Sequence, residues 1–334
     1  MRAHHIVVLL TCFAAAFAPA ASRAEVAAIR VAHQPGLSYL PLMIIEKDGL
    51  LQKHARVHAL DTLAYESVLV GSATALNDTL LANATDVVAG AITVMARIAD
   101  RASALEIRGM ATLNRDSFYL NTNQARINTL RDFSDRDRIA VSAVKLSIHA
   151  IVLQMAAEKE FGAGRHEELD RLTVSLPHPE AMAALLASGT EITAHLTTTP
   201  FKKAELKDAR IHRILTTDSL LGGSPTGAML WTTAKFRKDN PKAYAAFLSA
   251  LDEAMETIRK DPDRSARIYL EMEKAKMELA FVRELVSDPD DIFTTVPRST
   301  FTFVEFLQRT GRLGKRFSGW KDMFFPEIHG QPGS

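Results

Sequence analysis

The sequence predicts an α/β fold of two lobes, each a mostly parallel sheet flanked by helices, with two crossings of the chain between them. Three observations support this prediction. The chain has 334 residues, more than one hydrophobic core usually organises. Strand-like and helix-like segments alternate along it, which indicates parallel sheets covered on both faces. The alternation starts again after FYLNTN (118–123), so we expect two such units.

The first unit begins with a strand at AIRVAH (28–33), which a turn at Gln34-Pro35-Gly36 ends. Residues 39–54 follow, and their apolar side chains recur at the spacing of a helix. Gly49 is a turn residue, and we expect the helix to stop there. Apolar and polar residues alternate in ARVHALD (55–61), which predicts a second strand.

Small residues dominate the rest of the first unit. SATALNDTLLANATD (72–86) predicts an amphipathic helix, and VVAGAI (87–92) predicts a strand that ends in small residues. A helix near 94–104 and a strand at 105–112 complete the unit. The order of elements is that of a β-α-β-α-β run.

The second unit repeats this order. RIAVS (138–142) is a predicted strand, and residues 147–161 place apolar side chains on one helix face. A strand at 171–176, a helix at 179–188 and a strand at 191–197 follow. We therefore expect a second sheet of the same kind.

A glycine-rich segment at 220–230 leads into a helix-dominated remainder, in which residues 241–260 form the clearest amphipathic helix. We assign residues 25–116 and 223–334 to one discontinuous lobe, and residues 117–222 to the other. No short-period repeat or low-complexity segment is visible.

The first 24 residues have the features of an export signal. Arg2 precedes an apolar run at 6–21, and Ser22-Arg23-Ala24 places small residues at the positions that a signal peptidase reads. A membrane anchor needs about 20 apolar residues, and Pro19 interrupts this run. We expect cleavage near Ala24 and a periplasmic mature protein.

Cys12, the only cysteine, lies within that segment. Residues 9–12 loosely resemble a lipoprotein cleavage box, which leaves lipidation as the alternative. The apolar run continues well past Cys12, however, which favours simple cleavage. The mature chain then has no thiol, and so no disulfide, cysteine nucleophile or thiolate metal site.

Composition excludes several classes of partner. Apolar residues make up 47% of the chain and charged residues 24%, which is ordinary for a globular protein. The 40 lysines and arginines nearly balance the 39 aspartates and glutamates. Because nucleic acids and membrane surfaces attract a concentrated basic face, we expect neither as a partner.

Two pairs of residues suggest chemistry that the surrounding sequence does not support. His54 and His58 have the spacing of zinc-binding histidines, but HARVH lacks the glutamate of the metalloprotease motif. We favour two solvated histidines on a strand and expect no metal site. Ser147 and His149 are only two residues apart, and no G-x-S-x-G motif surrounds the serine. We expect no catalytic residues and no cofactor.

Three further segments have ordinary explanations. RDFSDRDR (131–138) suits a solvated turn before a strand. The glycines of 222–227 lack the lysine and hydroxyl residue of a phosphate loop, and a flexible connection is favoured. The aromatic residues of GWKDMFFPEIHG (319–330) are expected to hold the tail on a lobe, with docking of a partner protein as the alternative.

The loops after the predicted strands are the candidate ligand site. Ligands of open parallel sheets bind at the carboxyl ends of the strands, which selects HQPGLSYLP (33–41), AGAIT (89–93), AVKLSI (143–148) and LTTTP (196–200). These loops are rich in small, hydroxyl and amide residues, and none holds a nucleophile–base pair. Helix N-termini favour anions and polar carbonyls, and Lys145 adds a positive charge. The pattern indicates a binding cleft.

These stretches together resemble the periplasmic substrate-binding proteins of ABC importers, in the nitrate/sulfonate/taurine (NitT/TauT) family. The resemblance covers about 28–328 and rests on the order and spacing of several segments. They are VAHQPGLSYLPLMIIEKDGLLQKH, ALNDTLLANATDVVAGAI, LRDFSDRDRIAVSAVKLSIHAIVLQMAAEKEFG, EITAHLTTTPF and SGWKDMFFPEIH.

The resemblance implies the two-lobed type II periplasmic-binding-protein fold, in which two crossing strands serve as the hinge and the lobes close on a small solute. It implies a monomer that delivers the solute to an ABC permease in the inner membrane. By position, it places ligand contacts at Gln34, Ser38, Tyr39, Gly90, Ala91, Lys145, Ser147 and Ile148.

One stretch departs from the family pattern. Sulfonate-binding relatives often carry a tryptophan and an acidic residue where this chain has Thr197-Thr198-Thr199, before Pro200-Phe201. An acid there could pair with a substrate ammonium, so its absence disfavours taurine. Threonine hydroxyls suit an uncharged or anionic polar ligand, and we expect a nitrate-, sulfonate- or carboxylate-like anion.

Two other functions stay open on sequence grounds. One is an enzyme of the same fold, such as the pyrimidine synthase of thiamine biosynthesis. That enzyme relies on a cysteine-rich segment, which this chain lacks, and works in the cytoplasm. The other is an exported sensor that binds a solute and reports to another protein.

Overall fold

The computed structural model describes residues 24–187 and 189–334. The expected export signal, with Cys12, lies outside the described residues except for Ala24. Across the described ranges, no helix combines the length and apolar character needed to span a membrane.

The described part of the chain contains twelve strands. In chain order they are β1 Ala28–His33, β2 Ala64–Leu69, β3 Val87–Gly90, β4 Arg108–Thr112, β5 Asn114–Arg115, β6 Tyr119–Thr122, β7 Ile139–Val141, β8 Thr173–Ser175, β9 Ala194–Thr197, β10 His212–Thr216, β11 Met229–Thr232 and β12 Ile292–Phe293.

The same part of the chain contains thirteen α-helices. They are α1 Leu40–Lys47, α2 Leu50–Val57, α3 Ala73–Leu81, α4 Ile92–Arg101, α5 Ile148–Phe161, α6 His178–Leu186, α7 Phe201–Glu205, α8 Thr217–Leu221, α9 Ala234–Asp239, α10 Pro241–Lys260, α11 Pro262–Met272, α12 Leu279–Val286 and α13 Thr300–Arg309.

Ten of these strands form two five-stranded sheets with equivalent topology. The first has the order β2-β1-β3-β11-β4, and the second, read from its other edge, has the order β8-β7-β9-β6-β10. In each sheet one strand runs against the other four: β11 in the first and β6 in the second. Each of these is the first strand that the chain forms on entering that sheet from the other one.

The burial of each strand agrees with its position in the sheet. All four residues of β3 are buried, in the middle of the first sheet, as expected for a parallel strand covered by helices on both faces. β2 lies at the edge, and most of its residues are half-buried or exposed. The long helix α10 spans 241–260 as predicted and buries nine residues of one face.

The strand predicted at 55–61 is wrong. Residues Leu50–Val57 form α2, and the second strand of the sheet is β2. Leu50, Leu51 and Ala55 lie on the buried face of α2, which packs against α10. Gly49, with φ of 61°, separates α1 from α2. In β2, AYESVL, the apolar residues stand in pairs on either side of Glu66-Ser67 and do not alternate with polar ones, so periodicity does not indicate a strand there.

The remaining differences concern strands at the crossings. FYLNTN, predicted as a crossing, continues into the second sheet as β6. Within the glycine-rich 220–230 region, Met229 begins β11, a buried strand, and β10 was not predicted. The chain passes between the sheets at 113–118 and 217–228. We retain 25–116 with 223–334, and 117–222, as the proposed lobes.

The C-terminal aromatic segment is packed onto the first sheet. Phe324 and Phe325 are buried, and the Phe325 amide donates a 2.9 Å hydrogen bond to the Gly109 carbonyl of β4. A Cβ on Gly109 would lie 2.5 Å from Phe324 Cδ1. Only glycine allows this close approach.

Candidate functional site

A small cavity lies between the two sheets. The volume open to the centre of a water-sized sphere is about 50 Å³, so the cavity is compact but large enough for a small solute. Residues that follow the carboxyl ends of the parallel strands line it. So do residues just before the antiparallel strands, whose amino ends meet the same edge; Phe118 before β6 and Ala228 before β11 are examples.

The structure brings seven of the eleven predicted ligand residues to this cavity. They are Gln34, Ser38, Tyr39, Ala91, Ser147, Ile148 and Thr198. The first four come from the first lobe and the other three from the second, so the cavity is an interlobe site.

Lys145 is not brought to the cavity. It has φ of 59°, and its Nζ lies 3.6 Å from Asp170 Oδ2 and 3.9 Å from Glu167 Oε1. Its side chain is 54% exposed. The left-handed backbone just before the α5 cap directs the ammonium away from the cleft, so the positional rule placed the loop but not the side chain.

Three other predicted ligand residues do not line the cavity. They are Gly90, Thr197 and Thr199. A Cβ on Gly90 would meet Leu76 Cδ1 at 2.8 Å, so this glycine serves packing. Thr197 is fully buried, and its hydroxyl lies 3.5 Å from His178 Nδ1. Thr199 donates to a buried carboxylate, described below.

Ser147 caps α5 at the cavity. Its Oγ accepts from the Ala150 amide at 3.2 Å and donates to the Ala143 carbonyl at 2.8 Å. The hydroxyl is therefore occupied, but the amides of Ile148 and His149 belong to the first turn, which has no intrahelical acceptor. They present the positive end of the helix to the cavity.

Sequence reasoning missed three polar residues that line the cavity: Ser142, His149 and His178. His178 follows β8, so the strand-end rule would have selected it had the loop at 176–178 been included. His149 was considered only as the partner of Ser147. Its Nδ1 lies 3.5 Å from Ser142 Oγ, and its buried Nε2 has no partner among the described residues.

A chain of hydrogen bonds runs inward from His178. Its Nδ1 lies 2.9 Å from His195 Nε2, and His195 Nδ1 lies 2.6 Å from Glu205 Oε1. His195 and Glu205 have fully buried side chains, and Glu205 Oε2 accepts from Asn121 at 2.8 Å. Histidine was not among the predicted ligand contacts, because these positions are adjacent only in the folded protein.

The histidines that line the cavity are uncharged at neutral pH. Burial lowers the pKa of His149 to about 3. Burial, together with the neighbouring histidines, lowers the pKa of His178 well below its usual value. No lysine, arginine, aspartate or glutamate of the described chain lines the cavity. The polar groups that face the cavity are uncharged ones, chiefly hydroxyls, imidazoles and amides.

A buried ion network supports the loop that carries Thr198. Lys202 Nζ lies 2.7 Å from Asp116 Oδ1 and 2.6 Å from Asp291 Oδ1, with all three side chains buried. Thr198 donates to Asp116 and Thr199 donates to Asp291. Asp116 lies on a segment that connects the two sheets and Asp291 in the C-terminal region, so the network joins the cavity wall to that connection.

The network shifts the acidity of its carboxyl groups. Burial raises the pKa of Asp291 to about 7, and the neighbouring Asp116 charge adds to the rise. Burial also raises the pKa of Asp116, but the charge of Lys202 and the hydrogen bonds that Asp116 accepts outweigh burial. The pKa of Asp116 therefore lies below its usual value. One ammonium thus stabilises one carboxylate fully and the other only in part.

The lobes contact each other around the cavity. Thr93 Oγ1 on α4 donates to the Leu146 carbonyl at 3.1 Å. Arg309 on α13 makes a bidentate pair with Glu158 on α5, at 2.9 and 2.5 Å. The conformation is one in which the two walls of the cleft are held together.

The arrangement suits binding better than catalysis. The contact between Ser142 and His149 is too long for an effective proton transfer, and no carboxylate of the described chain orients His149. His54 Nε2 contacts Glu253 at 2.7 Å and His58 Nε2 contacts Ser249 at 3.3 Å, so these two histidines bond separate residues of α10. Over the described ranges, no group of three or more potential ligands could hold a metal ion.

Comparison with known proteins identifies the fold by structure. No protein-family model matches the chain, and no curated protein sequence does. The alkanesulfonate-binding protein SsuA from Xanthomonas axonopodis pv. citri, bound to MOPS, superimposes with a TM-score of 0.68 at 15% identity. The match covers 87% of this chain and 96% of that one.

Two further structures are similar over most of their length. The periplasmic nitrate-binding protein NrtA from Synechocystis PCC 6803 gives a TM-score of 0.69 at 15% identity, covering 87% of this chain and 83% of that one. A zinc-bound ligand-binding component of an ABC-type import system from Staphylococcus aureus gives 0.68 at 14% identity, covering 91% and 98%.

The structural neighbours across most of the chain are thus periplasmic substrate-binding proteins of the kind that the sequence resembles. At these identities the likeness is one of fold. With two five-stranded α/β sheets, each flanked by helices, this chain has the type II periplasmic-binding-protein fold, as the sequence predicts.

Proposed function

We propose that this protein is the extracytoplasmic solute receptor of an ABC importer. It captures a small polar anion between its lobes and delivers it to a membrane permease. The observation that carries this proposal is the cavity itself: residues of both lobes line it, and strand and helix ends open onto it. The similarity in fold to proteins named for sulfonate and nitrate binding supports it.

The size of the cavity favours a compact solute. With about 50 Å³ open to the centre of a water-sized sphere, it fits a compact anion such as nitrate, a short carboxylate or methanesulfonate. The α5 amides and the hydroxyls of Ser38 and Ser142 offer donors for an anion. We propose that the protein is a periplasmic monomer and needs no cofactor or metal. We also propose that it does not bind nucleic acid or a membrane surface.

A ligand screen on the mature chain, 25–334, tests the proposal. Nitrate, acetate, methanesulfonate, taurine and a pyrimidine are compared by thermal shift and then by calorimetry. A ligand at about a hundred times its dissociation constant stabilises the native state by about 2.7 kcal/mol. We expect nitrate or acetate to bind, and to be recovered unchanged. No stabilisation by any anion, or chemical conversion of one, would overturn the proposal.

A matched pair of variants connects binding to this cavity. Ala91→Leu adds a side chain at the cavity wall and should abolish binding. Ala84→Leu makes the same change at an exposed position between α3 and β3 and should leave affinity unchanged. Equal affinities for the two variants would place the ligand elsewhere.

A further inference from the structure

The chain Glu205–His195–His178 connects a buried carboxylate to the cavity through two imidazoles. The links are 2.6 Å from Glu205 Oε1 to His195 Nδ1 and 2.9 Å from His195 Nε2 to His178 Nδ1. His178 lines the cavity, and its Nε2 has no hydrogen-bond partner in the described residues. We call these three residues the relay.

The number of protons on the relay decides what His178 presents to the cavity. A neutral His195 that donates from Nδ1 to Glu205 accepts at Nε2 from His178 Nδ1–H. Then His178 Nε2 carries a lone pair. A protonated His195 donates from both nitrogens, so His178 accepts at Nδ1 and carries its proton on Nε2. One proton on His195 thus converts the cavity atom of His178 from an acceptor into a donor.

We propose that the relay binds a small monovalent oxyanion together with one proton from solvent. The proton rests on His195 beside Glu205, and His178 Nε2–H donates to the anion. This inference rests on the proposed receptor function. It names the solute class as a small acceptor-only anion, such as nitrate or a short carboxylate, for which the cavity holds no fixed positive charge.

Electrostatics explain why the anion and the proton bind together. Glu205 is fully buried, and its partners are Asn121 and His195. An anion in the cavity places a second negative charge at the other end of the relay. A buried negative charge without a cation is costly, so one proton between the two charges stabilises both. The uptake of anion and proton leaves the net charge of the protein unchanged.

The other titratable groups around the relay do not supply that proton. His149 on α5 meets the His178 ring edge-on, with centroids 4.6 Å apart, and its low pKa keeps it neutral. Lys202 lies on α7 with Glu205, but its ammonium is held by Asp116 and Asp291. Each of these groups is already neutral or paired.

Calorimetry on the mature protein tests the proposal, with nitrate, acetate and methanesulfonate as probes. Titrations at pH 6 to 9, in buffers of different ionisation enthalpy, give the number of protons taken up with each anion. We expect uptake to approach one proton at the alkaline end. There, affinity should fall tenfold per pH unit. Uptake of zero across the range overturns the relay and leaves the receptor function standing.

Two variants separate a proton-holding role from a structural one. Glu205→Gln removes the charge that stabilises protonated His195, and should lower proton uptake toward zero and weaken anion binding at least tenfold at pH 7. Glu256→Gln removes a carboxylate that pairs with Lys260 on α10, outside the relay and the cavity, and should leave proton uptake and affinity unchanged. Full uptake in Glu205→Gln overturns the proposal. Absence of binding by all three anions in the wild type overturns the receptor function and this proposal together.

Discussion

Replacing Lys202 with methionine tests the buried ion network most directly. The ammonium is fully buried and lies 2.7 and 2.6 Å from carboxyl oxygens of Asp116 and Asp291. Removing one partner of a buried pair costs about 3–5 kcal/mol, because the remaining charges stay desolvated and unpaired. We expect Lys202→Met to lose about that much free energy of unfolding at pH 8.

The loss should shrink at low pH, and the sign follows from the carboxyl groups. Asp291 has a raised pKa of about 7, so its contribution to stability is present in acid and is lost as pH rises through 7. Without Lys202, Asp116 also loses its cation, and both groups favour protonation. The variant should therefore recover more stability than the wild type between pH 8 and pH 5.

Urea unfolding of both proteins at pH 8 and pH 5 measures this difference. With a slope of about 3 kcal/mol per molar, a loss of 3–5 kcal/mol moves the midpoint by about 1 M or more. The control is Lys260→Met, at a side chain 69% exposed that pairs with Glu256, where we expect less than about 1 kcal/mol. A Lys202→Met loss below about 1 kcal/mol, or one equal at both pH values, would refute the reasoning.

Two further predictions concern packing and closure. Gly109→Ala should lower the free energy of unfolding in urea by about 1–3 kcal/mol, because its Cβ would lie 2.5 Å from Phe324 Cδ1. Gly71→Ala is the control and should be neutral, since a Cβ there meets nothing within 4 Å. Equal effects of the two changes would contradict the packing argument. Arg309→Gln removes the interlobe pair and should weaken nitrate or acetate binding up to about fivefold in calorimetry, as about 1 kcal/mol predicts. Arg309 lowers the pKa of Glu158 to about 2, so this loss should be the same at pH 6 and pH 8, and a pH-dependent loss would show that another group is responsible.

Most of the fold followed from local patterns. The buried run of β3 and the apolar face of α10 were recognised because periodicity is a property of neighbouring residues. The edge strand β2 and the strand β11 were not recognised. The first has apolar residues in adjacent pairs and not in alternation, and the second follows glycines that indicate a loop. Strand order within each sheet depends on contacts between distant segments.

The candidate site was predicted in part. The strand-end rule selected loops, and seven of the eleven residues named from them line the cavity. Lys145 was named because it lies in the loop after a predicted strand, but its backbone is left-handed and its ammonium lies near Glu167 and Asp170. A positive φ at one residue is not visible in composition or spacing.

The sequence by itself determined the α/β class, the two units and the loops that form the cleft, because each of these is encoded in local periodicity and turn residues. Only the tertiary structure decided which side chains meet there. His178 and His195 are 17 residues apart and Lys202 is 89 residues from Asp291. Their hydrogen bonds exist because the folded chain brings β9, the start of α6, the helix α7 and the segment before β12 together, and no pattern along the chain shows that these segments meet.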